Sequence, residues 1–145
     1  MDNREIINDV LVHLFHEIWE LEEKAIITEE FKDITNNDMH IIEAVGLHGG
    51  NMSGIAEKLR ITVGSLTTSM NSLVKKGYVV RERSEEDRRV VYIRLTEKGD
   101  KAYYHHEQFH HQMVDAVMQE LGDEEVNVLV KTLTDLSAFF RQYQP

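Results

Sequence analysis

Hydrophobic periodicity in this chain changes abruptly at Gly77, and few folds accommodate the change. From Thr62 to Lys76, Val63, Leu66, Met70, Leu73 and Val74 recur every three or four residues, the spacing of one buried stripe on an α-helix. Beyond Gly77, Tyr78–Arg83 and Arg89–Leu95 are short runs rich in β-branched residues, separated by the polar turn Ser84–Asp87, which predicts a β-hairpin. Glycine adopts the left-handed conformation that closes a helix, so the switch falls where the chain can turn. A shorter amphipathic segment, Ser53–Leu59, precedes the longer one through Arg60-Ile61-Thr62, with Thr62 in position to cap it. Two short helices followed by a two-stranded hairpin make a winged helix-turn-helix.

The opposite side of the longer helix carries Gly64, Ser65, Thr68, Asn71, Ser72 and Lys75. These are mostly short hydroxyl and amide side chains, which reach only close neighbours, as base edges and phosphates are when a helix lies in a DNA major groove. Ser65, Thr67, Thr68, Asn71 and Lys75 are therefore the candidate DNA contacts of this helix, and the basic hairpin beyond it carries Arg83, Arg88 and Arg89.

Charge distribution agrees, although the total does not. The whole chain of 145 residues holds 16 Lys and Arg against 26 Asp and Glu, a net −10. Between Asn51 and Leu95 the balance is nine to five, a local +4, which leaves seven basic and 21 acidic residues, −14, elsewhere. A positive stripe on an acidic body attracts phosphate locally and resists indiscriminate association. A chance fluctuation of surface charge is the competing explanation.

The flanks read as helices. Ile7, Val10, Leu11, Leu14, Ile18 and Leu21 recur at helical spacing from about Glu5 to Ala25, with Phe15 and Trp19 widening the stripe. Thr35-Asn36-Asn37-Asp38 has the spacing of a capping box and starts a second helix through Leu47, which Gly49-Gly50-Asn51 is expected to end. Thr96 caps a long helix from Glu97 to about Leu121, and Gly122-Asp123 introduces a last one striped by Val126, Leu129, Val130, Leu133, Leu136 and Phe140. The predicted fold is thus mainly α with a small β-hairpin wing. Residues 35–96 form the winged helix-turn-helix, and 1–34 with 97–145 form a helical dimerisation region. The terminal stripes are too apolar for so small a body to hide alone, which predicts a homodimer whose paired recognition helices read a pseudo-palindromic operator. A single-chain bundle whose stripes satisfy one another is the competing arrangement.

Several classes fall away. No run of about 18 apolar residues predicts a membrane span. The amino terminus is acidic and amphipathic instead of resembling a secretory signal, so a cytoplasmic location is expected. Without cysteine there are no disulfides or thiolate metal sites. There is no Gly-x-Ser-x-Gly elbow, phosphate-cradling loop or His-Glu-x-x-His motif, so an enzyme is not expected. A metal-dependent hydrolase built on the histidines is the remote enzymatic alternative.

Leu66-Thr67-Thr68 with Leu73-Val74-Lys75-Lys76-Gly77-Tyr78-Val79, then Arg83 to Val91, then Leu95-Thr96-Glu97-Lys98-Gly99, resemble the MarR family of bacterial transcription regulators. The order of helices on either side fits as well. The resemblance implies that Arg89 on the wing enters the minor groove, where the potential is most negative. It also implies Arg88 on phosphate and Asp87 bracing the wing by pairing with a nearby arginine. Phe31-Lys32-Asp33-Ile34-Thr35 with Met39-His40, Thr62 to Asn71, Arg81 to Val91 and Phe109-His110 with Met113-Val114 are similar to the branch of the family that represses fatty-acid synthesis genes. That branch uses long-chain acyl groups on acyl carrier protein as co-repressor. It implies no resident cofactor, and a greasy tunnel for which Phe15, Trp19, Met39, Ile42, Phe109 and Met113 suit the lining. Plain core packing is the competing role of each.

The eight histidines include His106 and His110, four apart on a predicted helix, so that both rings face one way as two zinc ligands would. Zinc-responsive members of the family use such a pair with a histidine near the start of the second helix, a position that His40 resembles. Structural histidines, solvated or hydrogen-bonded, are the ordinary alternative.

Overall fold

The computed structural model describes residues 1–26 and 28–143; Ile27 and the last two residues, all in the expected helical flanks, lie outside it. The elements in order are α1 (Asn3–Ile26), α2 (Asn36–Val45), β1 (Gly50–Asn51), α3 (Met52–Leu59), α4 (Val63–Lys76), β2 (Val79–Arg83), β3 (Val91–Leu95), α5 (Glu97–Gln119) and α6 (Asp123–Gln142). None of these helices is long and apolar enough to cross a membrane.

Side-chain caps set the boundaries where short polar residues meet apolar runs. Thr35 Oγ1 accepts from Asp38 N at 3.1 Å while Asp38 Oδ2 accepts from Thr35 N at 3.1 Å, closing the capping box of α2. Asn51 Oδ1 accepts from Gly54 N at 2.7 Å to start α3, and Thr62 Oγ1 accepts from Ser65 N at 3.1 Å to start α4. Gly77 ends α4 at φ 86°, donating its N–H to the Leu73 and Val74 carbonyls.

Two expectations are corrected. The second helix stops at Gly46, and Gly50–Asn51 is a strand, pairing antiparallel with β3 through Gly50–Ile93 and Asn51–Tyr92. A two-residue strand has no periodicity to read, and glycine argues against a strand, so only the pairing partner makes it one. The sheet order is β1-β3-β2, with β2 antiparallel to β3 from Val79–Leu95 to Arg83–Val91. Val63, expected in the buried stripe, is 45% exposed because the first residue of α4 overhangs the core.

The described residues form two compact units, His110–Pro145 and, carrying the winged helix-turn-helix, Met1–Phe109. Its core gathers Phe31, Ile34, Met39, Ile42 and Val45 around α2, Ile55 from α3, Leu66, Met70 and Leu73 from α4, and Tyr78 and Ile93 from the sheet. Leu66, Met70 and Leu73 are fully buried, which fixes the rotation of α4. In the second unit α6 buries no residue completely and exposes Val128, Val130, Leu133, Phe139 and Phe140.

Candidate nucleic-acid interface

Because α4 turns Leu66, Met70 and Leu73 inward, Ser65, Thr67, Thr68, Asn71 and Lys75 are all left exposed. Some of their hydrogen-bonding capacity is already engaged. Thr67 Oγ1 donates to Val63 O at 2.8 Å, and Thr62 Oγ1 donates to Ser65 Oγ at 3.0 Å, so the threonine at 67 meets an incoming partner as an acceptor.

A groove of about 410 Å³ separates this helix from the wing; Asn51, Met52, Val63, Thr67, Arg81, Arg83 and Arg89 line it. Three guanidinium groups therefore share the groove with the hydroxyl of Thr67, the amide of Asn51 and the apolar Met52 and Val63. Arg81 and Arg83 sit two apart on β2 and so share a face, opposite Ile93 and Val91 of β3. Such a groove concentrates positive potential on polar groups that can read a base edge.

The loop that closes the hairpin is rigid for a physical reason. Ser84 N donates to Val90 O at 3.0 Å, Val90 N donates to Asp87 O at 2.9 Å, and Arg83 Nη1 donates to Arg88 O at 3.3 Å. At its tip Asp87 receives three bonds from Arg89: Nε to Oδ1 at 3.1 Å, Nη2 to Oδ2 at 3.1 Å, and the backbone N–H to Oδ1 at 3.0 Å. The side-chain bonds, then the backbone one, hold the Asp87 carboxyl below the usual carboxylate range. The Arg89 side chain is nevertheless 91% exposed, oriented by a partner yet open to a ligand. Arg88 is exposed beside it.

The root of the wing is tied to the body. Tyr78, fully buried, donates its hydroxyl to Asp33 Oδ1 at 2.6 Å; Lys98 Nζ lies 3.7 Å from Asp33 Oδ2 and 4.4 Å above the tyrosine ring. The Tyr78 bond and Lys98 lower the Asp33 pKa against an opposing effect of burial, whereas burial and the same bond raise that of Tyr78. Thr96 Oγ1 donates to Gly77 O at 2.6 Å, and Lys76 Nζ to Asp38 Oδ2 at 3.4 Å. The end of α4 is thereby linked to the start of α2 and of α5.

The first unit also gathers histidines and acids. His106 is 2% exposed, with Nε2 3.2 Å from Glu22 Oε1 and 3.0 Å from Glu43 Oε2. His40 Nε2 is buried, makes no hydrogen bond among the described residues and stands 3.6 Å from the same Glu22 oxygen, while its ring stacks on Trp19. Glu22 has no local signature of this role, because paired carboxylates such as Glu22-Glu23 in a charge run ordinarily mark a solvated surface. His110, the third residue of the expected zinc set, lies four residues further along α5 and is half-buried. Of the residues expected to line a tunnel, Met39 and Ile42 are buried in the core, Phe15 and Trp19 are exposed on α1, and Phe109 and Met113 are half-buried on α5.

A family model of the transcriptional regulators SarA/Rot matches residues 24–105, more than half of the chain. The chain belongs to this MarR-like family. Among solved structures, this regulator is similar to Streptococcus pneumoniae FabT in complex with DNA, at 36% identity, 98% coverage of this chain and 100% of that one, and a TM-score of 0.90. It is 31% identical to the HTH-type transcriptional regulator YfiV of Bacillus subtilis over 83% of this chain and 81% of that protein. It is also 30% identical to the transcriptional regulator ZitR of Lactococcus lactis, over 74% of this chain and 77% of that one. The MarR-like regulator is thus a DNA-binding transcription factor and not an enzyme. Arg81 and Asn51, which line its groove, escaped sequence reasoning: a strand arginine looks like any solvated cation, and Asn51 reads as a helix breaker until β1 is seen.

Proposed function

We propose that this regulator is a homodimeric repressor that binds a pseudo-palindromic operator, with α4 in the major groove and Arg89 in the flanking minor groove. The observation that carries the reading is the exposed Arg89, held by Asp87 at the mouth of a groove with two further arginines. Dimerisation is supported by apolar side chains left in solvent by one chain, among them Ile7, Phe15 and Trp19 on α1 and Leu133 and Phe140 on α6. Arg89→Ala in fluorescence-anisotropy titrations of selected operator duplexes is expected to cost at least tenfold in affinity. Wild-type affinity retained by that variant overturns the wing assignment.

The likeness to FabT supports control of fatty-acid synthesis genes, with long-chain acyl-acyl carrier protein as co-repressor. Operator affinity should then rise on titration with that carrier, and an unchanged affinity removes the effector. A second reading is zinc with His40, His106 and His110 as its candidate ligands, imidazoles as zinc prefers, and the burial of His106 beside Glu22 Oε1 at 3.2 Å favours it. Bound zinc would supply charge and cross-link α2 and α5 while these three residues orient it. Under that reading, zinc tightens operator binding in the wild type and leaves His40→Ala and His106→Ala unaffected.

A further inference from the structure

Asn71 is an exposed amide on the reading face of α4, and such an amide in a major groove ordinarily pairs with adenine. That pairing needs both ends of the group: the oxygen accepts from adenine N6 while the nitrogen donates to N7. Here the oxygen is already engaged. Arg81 Nη2 donates to Asn71 Oδ1 at 2.5 Å, a charge-assisted bond. The adjacent carboxylate on the strand, Glu82, faces the other way and is held by Arg94 at 3.4 Å, so it does not draw Arg81 from the amide.

We infer that Arg81 fixes the hydrogen-bonding face of Asn71, so that the pair reads guanine instead of adenine in the operator. The inference rests on operator binding through α4. Oδ1 and Nδ2 diverge from the planar amide carbon. With Oδ1 turned to the guanidinium, Nδ2 is the atom left for a base, and it only donates. The remaining N–H groups of Arg81 also only donate. Guanine offers two neighbouring acceptors, N7 and O6, whereas adenine sets an N6 donor against a cation and a donor amide. Arg81 is thus a specificity-determining residue that acts partly through its neighbour.

Selection from a randomised pool of inverted-repeat duplexes, by the full-length wild type and by Arg81→Ala, Arg81→Lys and Asn71→Ala, tests this. The wild type is expected to enrich guanine over adenine on the order of tenfold at one position of each half-site. Asn71→Ala, which leaves the Arg81 donors in place, should weaken that preference without moving it to adenine. Arg81→Ala should release the amide and move the preference at that position towards adenine by about tenfold, with the other positions unchanged. Arg81→Lys keeps the charge but lacks the fork, and should lose the guanine preference while retaining the wild-type salt dependence. The inference is overturned if the wild type selects adenine there, if Arg81→Ala leaves the preferred bases as they were, or if it weakens enrichment equally at every position, as a plain phosphate contact would. A wild type that enriches no motif refutes operator binding itself, a distinct result. Both side chains are exposed, and equal thermal midpoints of the four proteins exclude misfolding as the cause.

Discussion

At Gly99 and Gly77 the absence of a side chain serves two different ends. A Cβ on Gly99 would stand 2.1 Å from the Tyr78 carbonyl oxygen, whereas one on Gly77 would meet nothing within 4 Å, the obstacle there being φ of 86° alone. Gly99→Ala is therefore expected to cost roughly 2–3 kcal/mol, since backbone must shift. Gly77→Ala should cost about 1 kcal/mol, the penalty of a left-handed alanine. Urea unfolding of the two variants checks the order. Only the second role shows in the sequence, where a glycine follows a helical stripe; the close approach at Gly99 depends on a strand end that lies about 20 residues away. Asp33 makes a pH prediction. Its folded pKa is lowered, chiefly by the Tyr78 hydroxyl, so its contribution is present above the unfolded value and is lost as pH falls through the folded one. The stability gap between wild type and Asp33→Asn should be widest near neutral pH and close below about pH 4; a constant gap would show that the charge is not involved.

Among the elements, the wing is the one whose tip is built for rigidity more than for stability. Asp87 and Arg89 are both substantially exposed, so their pair adds little to folding. Its effect is to hold a long side chain before DNA arrives. Asp87→Asn keeps one acceptor oxygen, and should leave the thermal midpoint unchanged while weakening operator binding about two- to tenfold, the cost of ordering one long side chain. A shifted midpoint with unchanged affinity would assign the pair to folding instead. The helices were readable because their caps are local: Thr35 with Asp38, and Thr62 with Ser65, are three residues apart. β1 was not, because Gly50 and Asn51 become a strand only by meeting Ile93 and Tyr92 some 40 residues on.

For the molecule as a whole, binding should be governed by where its charge lies. Lys75→Ala and Arg88→Ala are each expected to reduce affinity for all duplexes alike and to lower the slope of log affinity against log salt by roughly one for each copy of the side chain lost. A slope equal to the wild type's would show that neither touches phosphate. Periodicity, caps and the charge contrast between residues 51–95 and the rest sufficed for the winged helix-turn-helix and for the polar face of α4, because each depends on neighbours within a few residues. What they could not supply are meetings between distant segments: Arg81 with Asn71, Asp33 with Tyr78, and Glu22 with His40 and His106. An exposed strand arginine or a glutamate in a charge run has no local signature of its partner. Its role arises only when folding removes the intervening chain and sets two groups within hydrogen-bonding distance.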